Sequence, residues 1–255
     1  MIQLGTFITP QFPVALAPME DITDPPFRRL CKKFGADILV TEFVAADGLI
    51  RDIEKSLNKL QFGQFERPLG IQIFGNNPEV MARAAQIAET AHPDFIDLNF
   101  GCPVRKIAMK GGGAGLLQNI PQLLKITEQV IKSVKIPVSA KTRLGWDENS
   151  KIITSLAEQL QDAGIQMLTI HGRTRSQMYK GISDWTLIGE VKNNPRIKIP
   201  IVGNGDIDSP EKAKEFFDKY GVDGIMIGRA SIGKPWLFKQ IRSEEHTSEL
   251  QSRQV

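Results

Sequence analysis

The sequence predicts an α/β protein of the (β/α)8 type, a TIM barrel, and three observations carry that prediction. Eight short apolar runs alternate with stretches of helical periodicity, the pattern of a parallel sheet wrapped by helices. The chain has 255 residues, and such a barrel needs roughly 250. Nearly every apolar run ends in polar residues, at the end of the strand where barrels place their chemistry. A doubly wound open sheet is the alternative, but it would not put polar residues at nearly every strand end.

The first strand is the run Val14 to Met19, stopped by Pro18. Asp24 caps a helix that opens with Pro25 and Pro26 and carries Phe27, Leu30 and Cys31. Ile38 to Val40 is the second strand, and polar, irregular Arg51 to Gln64 reads as an excursion over one barrel end. Leu69 to Ile73 is the third, followed by a helix opened at Asn77-Pro78 with Val80, Ala84, Ile87 and Ala88 at helical spacing. Phe95 to Asn99 is the fourth, with a mobile glycine loop expected at 111–115 and a helix from Ile120 to Val134. Pro137 to Lys141, Met167 to His171, Ile199 to Gly203 and Gly224 to Gly228 complete the eight. Their helices are Ile152 to Ala163, Trp185 to Lys192, Pro210 to Tyr220 and a last one beginning at Pro235.

The fourth strand organises the rest. Asp97-Leu98-Asn99-Phe100-Gly101-Cys102-Pro103 ends a strand in a polar Asn and places a cysteine on the loop beyond it. A buried structural cysteine is the competing reading. The other strand ends supply Ala17-Pro18-Met19, Gln72, Lys141, Arg143, His171, Arg173, Asn204-Gly205-Asp206 and Gly228-Arg229. Side chains two apart share a face, so Lys141 and Arg143 lean together, as do His171 and Arg173. Four cations, three amides and a thiol at one rim are hard to explain as packing. The glycine turns after strands seven and eight, with Arg229, read as a phosphate site, against the plainer reading of two tight turns.

Composition narrows the class. A net charge of +3 permits a nucleic-acid partner without arguing for one. Two cysteines make no disulfide framework, so a reducing cytoplasm is expected. Signal peptide and membrane span are not expected, and a monomer is the default. His92 and His171 lie far apart and no Cys-x-x-Cys occurs, so no metal is expected. There is no phosphate-binding P-loop, dinucleotide fingerprint or hydrolase elbow. The last fourteen residues, 242–255, have no apolar periodicity and look like the translation of a sequencing-adapter oligonucleotide. They are expected to be a non-native, disordered tail after a barrel domain spanning 1–241.

Together these motifs resemble the tRNA-dihydrouridine synthases, the bacterial B-type most of all. The resemblance rests on Ala-Pro-Met at 17–19, Asp-Leu-Asn-Phe-Gly-Cys-Pro at 97–103, Lys-Thr-Arg-Leu-Gly-Trp at 141–146, His-Gly-Arg-Thr-Arg at 171–175, Gly-Asn-Gly-Asp-Ile at 203–207 and Gly-Arg-Ala at 228–230. It implies an FMN-dependent reduction of a tRNA uridine to 5,6-dihydrouridine, in the D-loop at position 17, with NADPH as electron donor. By position, Ala17, Pro18, Met19, Gln72, Lys141 and His171 would line the flavin. Asn204, Gly205, Asp206, Gly228 and Arg229 would take its phosphate. Asn99, Arg143 and Arg173 would hold the substrate. Reduced FMN would give hydride to uracil C6 and Cys102 a proton to C5, with the base extruded from the tRNA. The resemblance also implies a C-terminal helical domain, which this chain does not carry in recognisable form. Arg105, Lys106 and Lys110 would then be the barrel's own phosphate contacts. Two other readings are an FMN-dependent dihydroorotate or dihydropyrimidine oxidoreductase acting on a free pyrimidine, and a flavin-binding, tRNA-associated module made inactive by truncation.

Overall fold

The computed structural model describes residues 1–243. A small antiparallel hairpin comes first, β1 (Gln3–Leu4) and β2 (Phe7–Ile8). The chain then runs β3 (Val14–Leu16), α1 (Pro25–Lys33), β4 (Leu39–Val40), β5 (Val44–Ala45), α2 (Ala46–Ile50), α3 (Glu54–Asn58), β6 (Leu69–Phe74) and α4 (Pro78–Glu89). It continues through β7 (Phe95–Phe100), α5 (Arg105–Ala108), α6 (Ile120–Ser133), β8 (Val138–Arg143), α7 (Ile153–Asp162) and β9 (Met167–His171). The last elements are α8 (Thr186–Asn193), β10 (Ile201–Asn204), α9 (Pro210–Tyr220) and β11 (Gly224–Ile227), and residues 237–243 are helical.

All barrel strands pair in parallel, in the order β3-β11-β10-β9-β8-β7-β6-β4. The ring closes where Ala15 bridges Ile38 and the Leu16 N–H donates to the Ile38 carbonyl at 2.9 Å. Closure decides between barrel and open sheet. β5 pairs with β6 beyond β4, so these two short strands are one staircase edge broken at residues 41–43. The expected starts at Asp24 and Asn77 are in place, and Ser209 adds a third: each accepts an N–H bond at the start of its helix, α1, α4 or α9, just before a proline.

Strand alternation splits the buried residues into two layers. Ile71, Ile73, Ile96, Leu98, Phe100, Leu168, Ile170 and Ile225 face outward into the helices. Ala15, Ile38, Val40, Phe95, Met167, Val202 and Met226 face inward and meet Ile2 and Leu4 of the hairpin. That hairpin, too short for periodicity to reveal, plugs the N-terminal end of the barrel. Its Gly5 turns at φ +58° against Pro137, at the foot of β8. The lower barrel is therefore filled with hydrocarbon, and the upper half is left for polar side chains.

Two expectations change. The glycine stretch 111–115 is not a free loop: Gly113–Gln118 forms a 3-10 turn, and Gly113 to Leu117 are buried. Its glycines serve close approach, because a Cβ on Gly115 would collide with the Ala108 carbonyl. The excursion after Arg51 contains α3, and beneath it lies a fully buried Arg28–Glu66 pair at 2.7 Å. Arg242 continues the last helix and ion-pairs with Asp37. The rest of the tail expected at 242–255 lies outside the described residues, from 244 onward.

Candidate active site

The polar residues of β6 to β10 rise on the inward face toward the C-terminal mouth. Gln72 Nε2 donates to Asp97 Oδ2 at 2.6 Å, and Ser139 Oγ donates to Asp97 Oδ1 at 2.5 Å. Asn99 Nδ2 donates to Gln72 Oε1 at 2.7 Å. Asn99 Oδ1 in turn accepts the backbone N–H groups of Gly101 at 3.1 Å and Cys102 at 2.9 Å. The register explains the alignment: Gln72 lies opposite Asp97, and Asn99 opposite Lys141.

Cys102 sits on the turn after β7, only 7% exposed. Its carbonyl accepts the Ala114 N–H at 3.1 Å, and Gly113, at φ +52°, packs so closely that a Cβ there would lie 3.0 Å from Cys102 Cβ. The buried glycine turn is thus the wall that holds the thiol in place. Burial raises the thiol's pKa above its ordinary value, opposed by the Val104 N–H and the Arg143 and Lys141 cations. The group is a neutral thiol at neutral pH, a proton donor in resting state.

Lys141 Nζ donates to Asn204 Oδ1 at 3.2 Å, and Asn204 Nδ2 donates to the Met226 carbonyl at 2.7 Å. Burial, with Arg143 nearby, lowers the Lys141 pKa to about 8. His171, one strand on, is buried among Arg143, Lys141, Arg173 and Arg229. Desolvation first and those cations second hold its pKa well below the ordinary value, so the ring is neutral.

The two arginines are tied into the wall. Arg143 Nε donates to the Gly101 carbonyl at 2.7 Å, and its Nη1 donates to the carbonyls of Thr174 and Met178. Arg173 donates to the Lys180 and Gly181 carbonyls and to Asp206 Oδ2 at 2.8 Å. Both are 2% exposed and brace the loop that follows β9. Tyr179 from that loop lies between the guanidinium groups of Arg143 and Arg229, 5.7 and 5.0 Å from its ring centre.

Asn204-Gly205-Asp206 and Gly228-Arg229 stand together at the ends of β10 and β11. Gly205, at φ +129°, leaves space that a Cβ would take from Ser183 and His171. The Asp206 carboxylate accepts the Ser183 N–H at 2.7 Å and the Arg173 bond. Burial pushes its pKa up, but those donors outweigh it and hold it below the ordinary value. Ser183 Oγ is buried and meets no hydrogen-bond partner within 3.5 Å among the described residues. Across the mouth, Gly228 faces Ala17 Cβ at 3.5 Å and Met19 Sδ at 3.6 Å from where a Cβ would stand, ordinary contact distances that leave an apolar ledge. A ledge of Ala17 and Met19, a cationic Lys141, amides on the floor and glycine turns beside Arg229 make a donor set that fits a flat heterocycle with a phosphate tail.

Spacing left several residues unremarked. Asp97 lies two before Asn99, so strand periodicity alone would have placed it under the site. Glu20, Asp21 and Glu42 hold carboxylate oxygens within 4.8 Å of one another, and Lys59 pairs with Glu20 at 2.6 Å and Glu42 at 3.8 Å. Beyond Val104 a groove of about 560 Å³ runs along the ends of β5 and β6. Phe43 and Phe74 meet edge to face in it at 5.2 Å, and Lys55, Lys106 and Lys110 line it.

Solved structures share the fold. A histamine dehydrogenase from Rhizobium sp. 4-9 superposes with a TM-score of 0.70 at 14% identity, over 95% of this chain and 47% of that one. A 2-naphthoyl-CoA reductase gives 0.70 at 12% identity, over 95% and 51%. This chain therefore spans about half the length of each. In sequence, a probable tRNA-dihydrouridine synthase from Rickettsia conorii is 42% identical over 253 residues, covering 99% of this chain and 76% of the relative. A tRNA-dihydrouridine synthase B from Pseudomonas aeruginosa is 38% identical over 250 residues, covering 96% and 74%. The family model for dihydrouridine synthase (Dus) matches residues 15–255. With a family model matched over most of its length and a relative at 42% identity, the chain belongs to the dihydrouridine synthase family.

Proposed function

We propose that this chain is a flavin-dependent oxidoreductase that reduces a D-loop uridine of tRNA to 5,6-dihydrouridine, with FMN bound at the barrel mouth and NADPH as electron donor. The observation that carries the reading is the buried neutral thiol of Cys102, held on a rigid turn beside Lys141 and Arg143. A reduced flavin held there would supply the hydride for uracil C6, leaving negative charge toward C5 and O4 of the base. The Cys102 thiol gives its proton to C5, and the nearby Lys141 and Arg143 cations favour the thiolate left behind.

Ala17, Pro18 and Met19 would form the ledge beside the ring system and Lys141 and His171 would face its polar edge, while Gln72 would serve from beneath, where it is bonded to Asp97 and Asn99. Asn204, Gly205, Asp206, Gly228 and Arg229 receive the phosphate, with Ser183 Oγ a further donor there. Asn99 stands nearest the substrate edge. Arg143 and Arg173 hold the walls through loop carbonyls and Asp206, and Arg143 Nη2, not used in those bonds, is the guanidinium nitrogen left for the substrate. The lysine-lined groove beyond Val104, with Arg105, offers the barrel's own contact to the nucleic-acid backbone. A tRNA substrate and two free cysteines agree with a cytoplasmic site of action.

The test is the visible spectrum of the purified chain followed by turnover on unmodified tRNA. Near-stoichiometric flavin that NADPH bleaches, and dihydrouridine formed in tRNA, are expected. A folded chain that takes up no FMN sinks the cofactor reading. Flavin loading with turnover of free uracil or dihydroorotate, and none on tRNA, sinks the substrate reading.

A further inference from the structure

The hydrogen bonds beneath Cys102 form a chain whose direction is forced from both ends. At one end stands the Asp97 carboxylate, 3% exposed, whose Oδ2 can only accept from Gln72. At the other end, the N–H groups of Gly101 and Cys102 can only donate. The amides between them are orientationally ambiguous in isolation. Here Asp97 turns the Gln72 nitrogen toward itself, which turns the Gln72 oxygen toward Asn99, which turns the Asn99 nitrogen inward and its oxygen to the two peptides. Both ends dictate the same arrangement. Gln72, Asp97 and Ser139 are 0%, 3% and 0% exposed, so water does not replace a lost member.

We infer that Asp97 is a positioning residue for the reaction, setting the orientation of the Gln72 and Asn99 amides and through them the place of the Cys102 loop. Its catalytic consequence rests on the reading of Cys102 as proton donor; the relay itself does not. Burial raises the Asp97 pKa, against the pull of Ser139, Gln72 and Lys141. The relay holds in either protonation state, because a proton on Oδ1 can be donated to Ser139 Oγ while Oδ2 still accepts from Gln72.

A direction-dependent relay can be reversed, which a merely space-filling residue cannot. In Asn99→Asp, residue 99 loses its donor, and Gln72 is caught between two carboxylates. In Asp97→Asn with Asn99→Asp, the new amide at 97 donates to Gln72 Oε1, Gln72 Nε2 donates to the new carboxylate at 99, and that carboxylate still accepts from Gly101 and Cys102. Every link is satisfied, the two through Gln72 with their direction inverted. Asp97→Asn alone keeps the original direction, its nitrogen facing Ser139.

The readout is alkylation of Cys102 by iodoacetamide in the full chain, quantified by peptide mass, with fully buried Cys31 as internal reference for global opening. It requires no substrate, so it fails or succeeds separately from the proton-donor reading. Asn99→Asp should speed Cys102 alkylation about tenfold or more, the worth of losing a buried hydrogen bond, with Cys31 unchanged. The double variant should return it close to the parent rate, and Asp97→Asn alone should change it little. Should Asn99→Asp open both cysteines, re-protection of both in the double variant supports the relay. Additive losses, with no rescue by Asp97→Asn, overturn it.

Discussion

Lys141 yields a prediction in which removing a functional group strengthens the fold. Its ammonium is enclosed at the barrel mouth with Asn204 as hydrogen-bond partner, and its pKa falls from 10.5 to about 8 through burial and the nearby Arg143. At neutral pH a drop of that size corresponds to about 3 kcal/mol of unfavourable charge burial in the cofactor-free chain. In Lys141→Met the stem is matched in length and the charge is gone, while Asn204 Oδ1 loses its donor at a cost of about 1 kcal/mol. The variant should therefore be more stable than the parent by about 2 kcal/mol at pH 7. The sign with pH follows from the lowered value. Between pH 8 and 10.5 the folded parent has released this proton and the unfolded chain still holds it, so parental stability rises with pH there. The variant lacks that rise, and its advantage should shrink across the window. Urea unfolding of both chains, followed by tryptophan fluorescence at stepped pH, measures the difference directly and cancels the titrations they share. A variant less stable than the parent at pH 7, or an advantage that does not change with pH, refutes the reasoning. FMN uptake should be lost in the same variant, the expected trade of a cation held for function.

Other variants probe the remaining parts of the site. Cys102→Ala should retain flavin uptake and its bleaching by NADPH but lower dihydrouridine formation by about 10²–10⁴-fold, and unchanged turnover on tRNA removes the thiol from the mechanism. Gly113→Ala places a Cβ at φ +52° and 3.0 Å from Cys102 Cβ and O, so it should destabilise the chain by about 2 kcal/mol in denaturant unfolding and disturb Cys102 more than Cys31. Folding lowers the His171 pKa, so the folded chain loses stability as pH drops below 6.5, where the unfolded ring takes up a proton. His171→Gln should flatten that acid limb in unfolding curves measured down to about pH 5, and an unchanged limb shows that another group titrates there.

Much of the fold was legible from periodicity because each barrel strand presents one face to the helices and one to the interior. Val138 to Arg143 reads as apolar and polar alternation, and the structure sets Ser139, Lys141 and Arg143 on the inner face as spacing two requires. Asp24 and Asn77 announced their helices by local chemistry, a side-chain acceptor before a proline, and tertiary packing left them in place. The hairpin at Gln3 to Ile8 was not legible, since two-residue strands have no period to detect. Glycine richness at 111–115 was read as freedom when it served contact: Gly113 and Gly115 admit the Cys102 turn and the Ala108 carbonyl.

By itself the sequence determined which side chains stand at the barrel mouth, since strand ends and period-two alternation are local properties of the chain. What they do to one another required the closed barrel. Strand pairing brings β6, β7 and β8 side by side in register, and only then does Asp97 meet Gln72 and Ser139 and Gln72 meet Asn99. Tertiary packing also ties Arg143 and Arg173 to loop carbonyls and Asp206, lowers the pKa of Lys141 and keeps His171 neutral, because those effects depend on burial and on charges from other strands. Residue type is written along the chain, whereas desolvation and hydrogen-bond direction arise only where distant strands exclude water together.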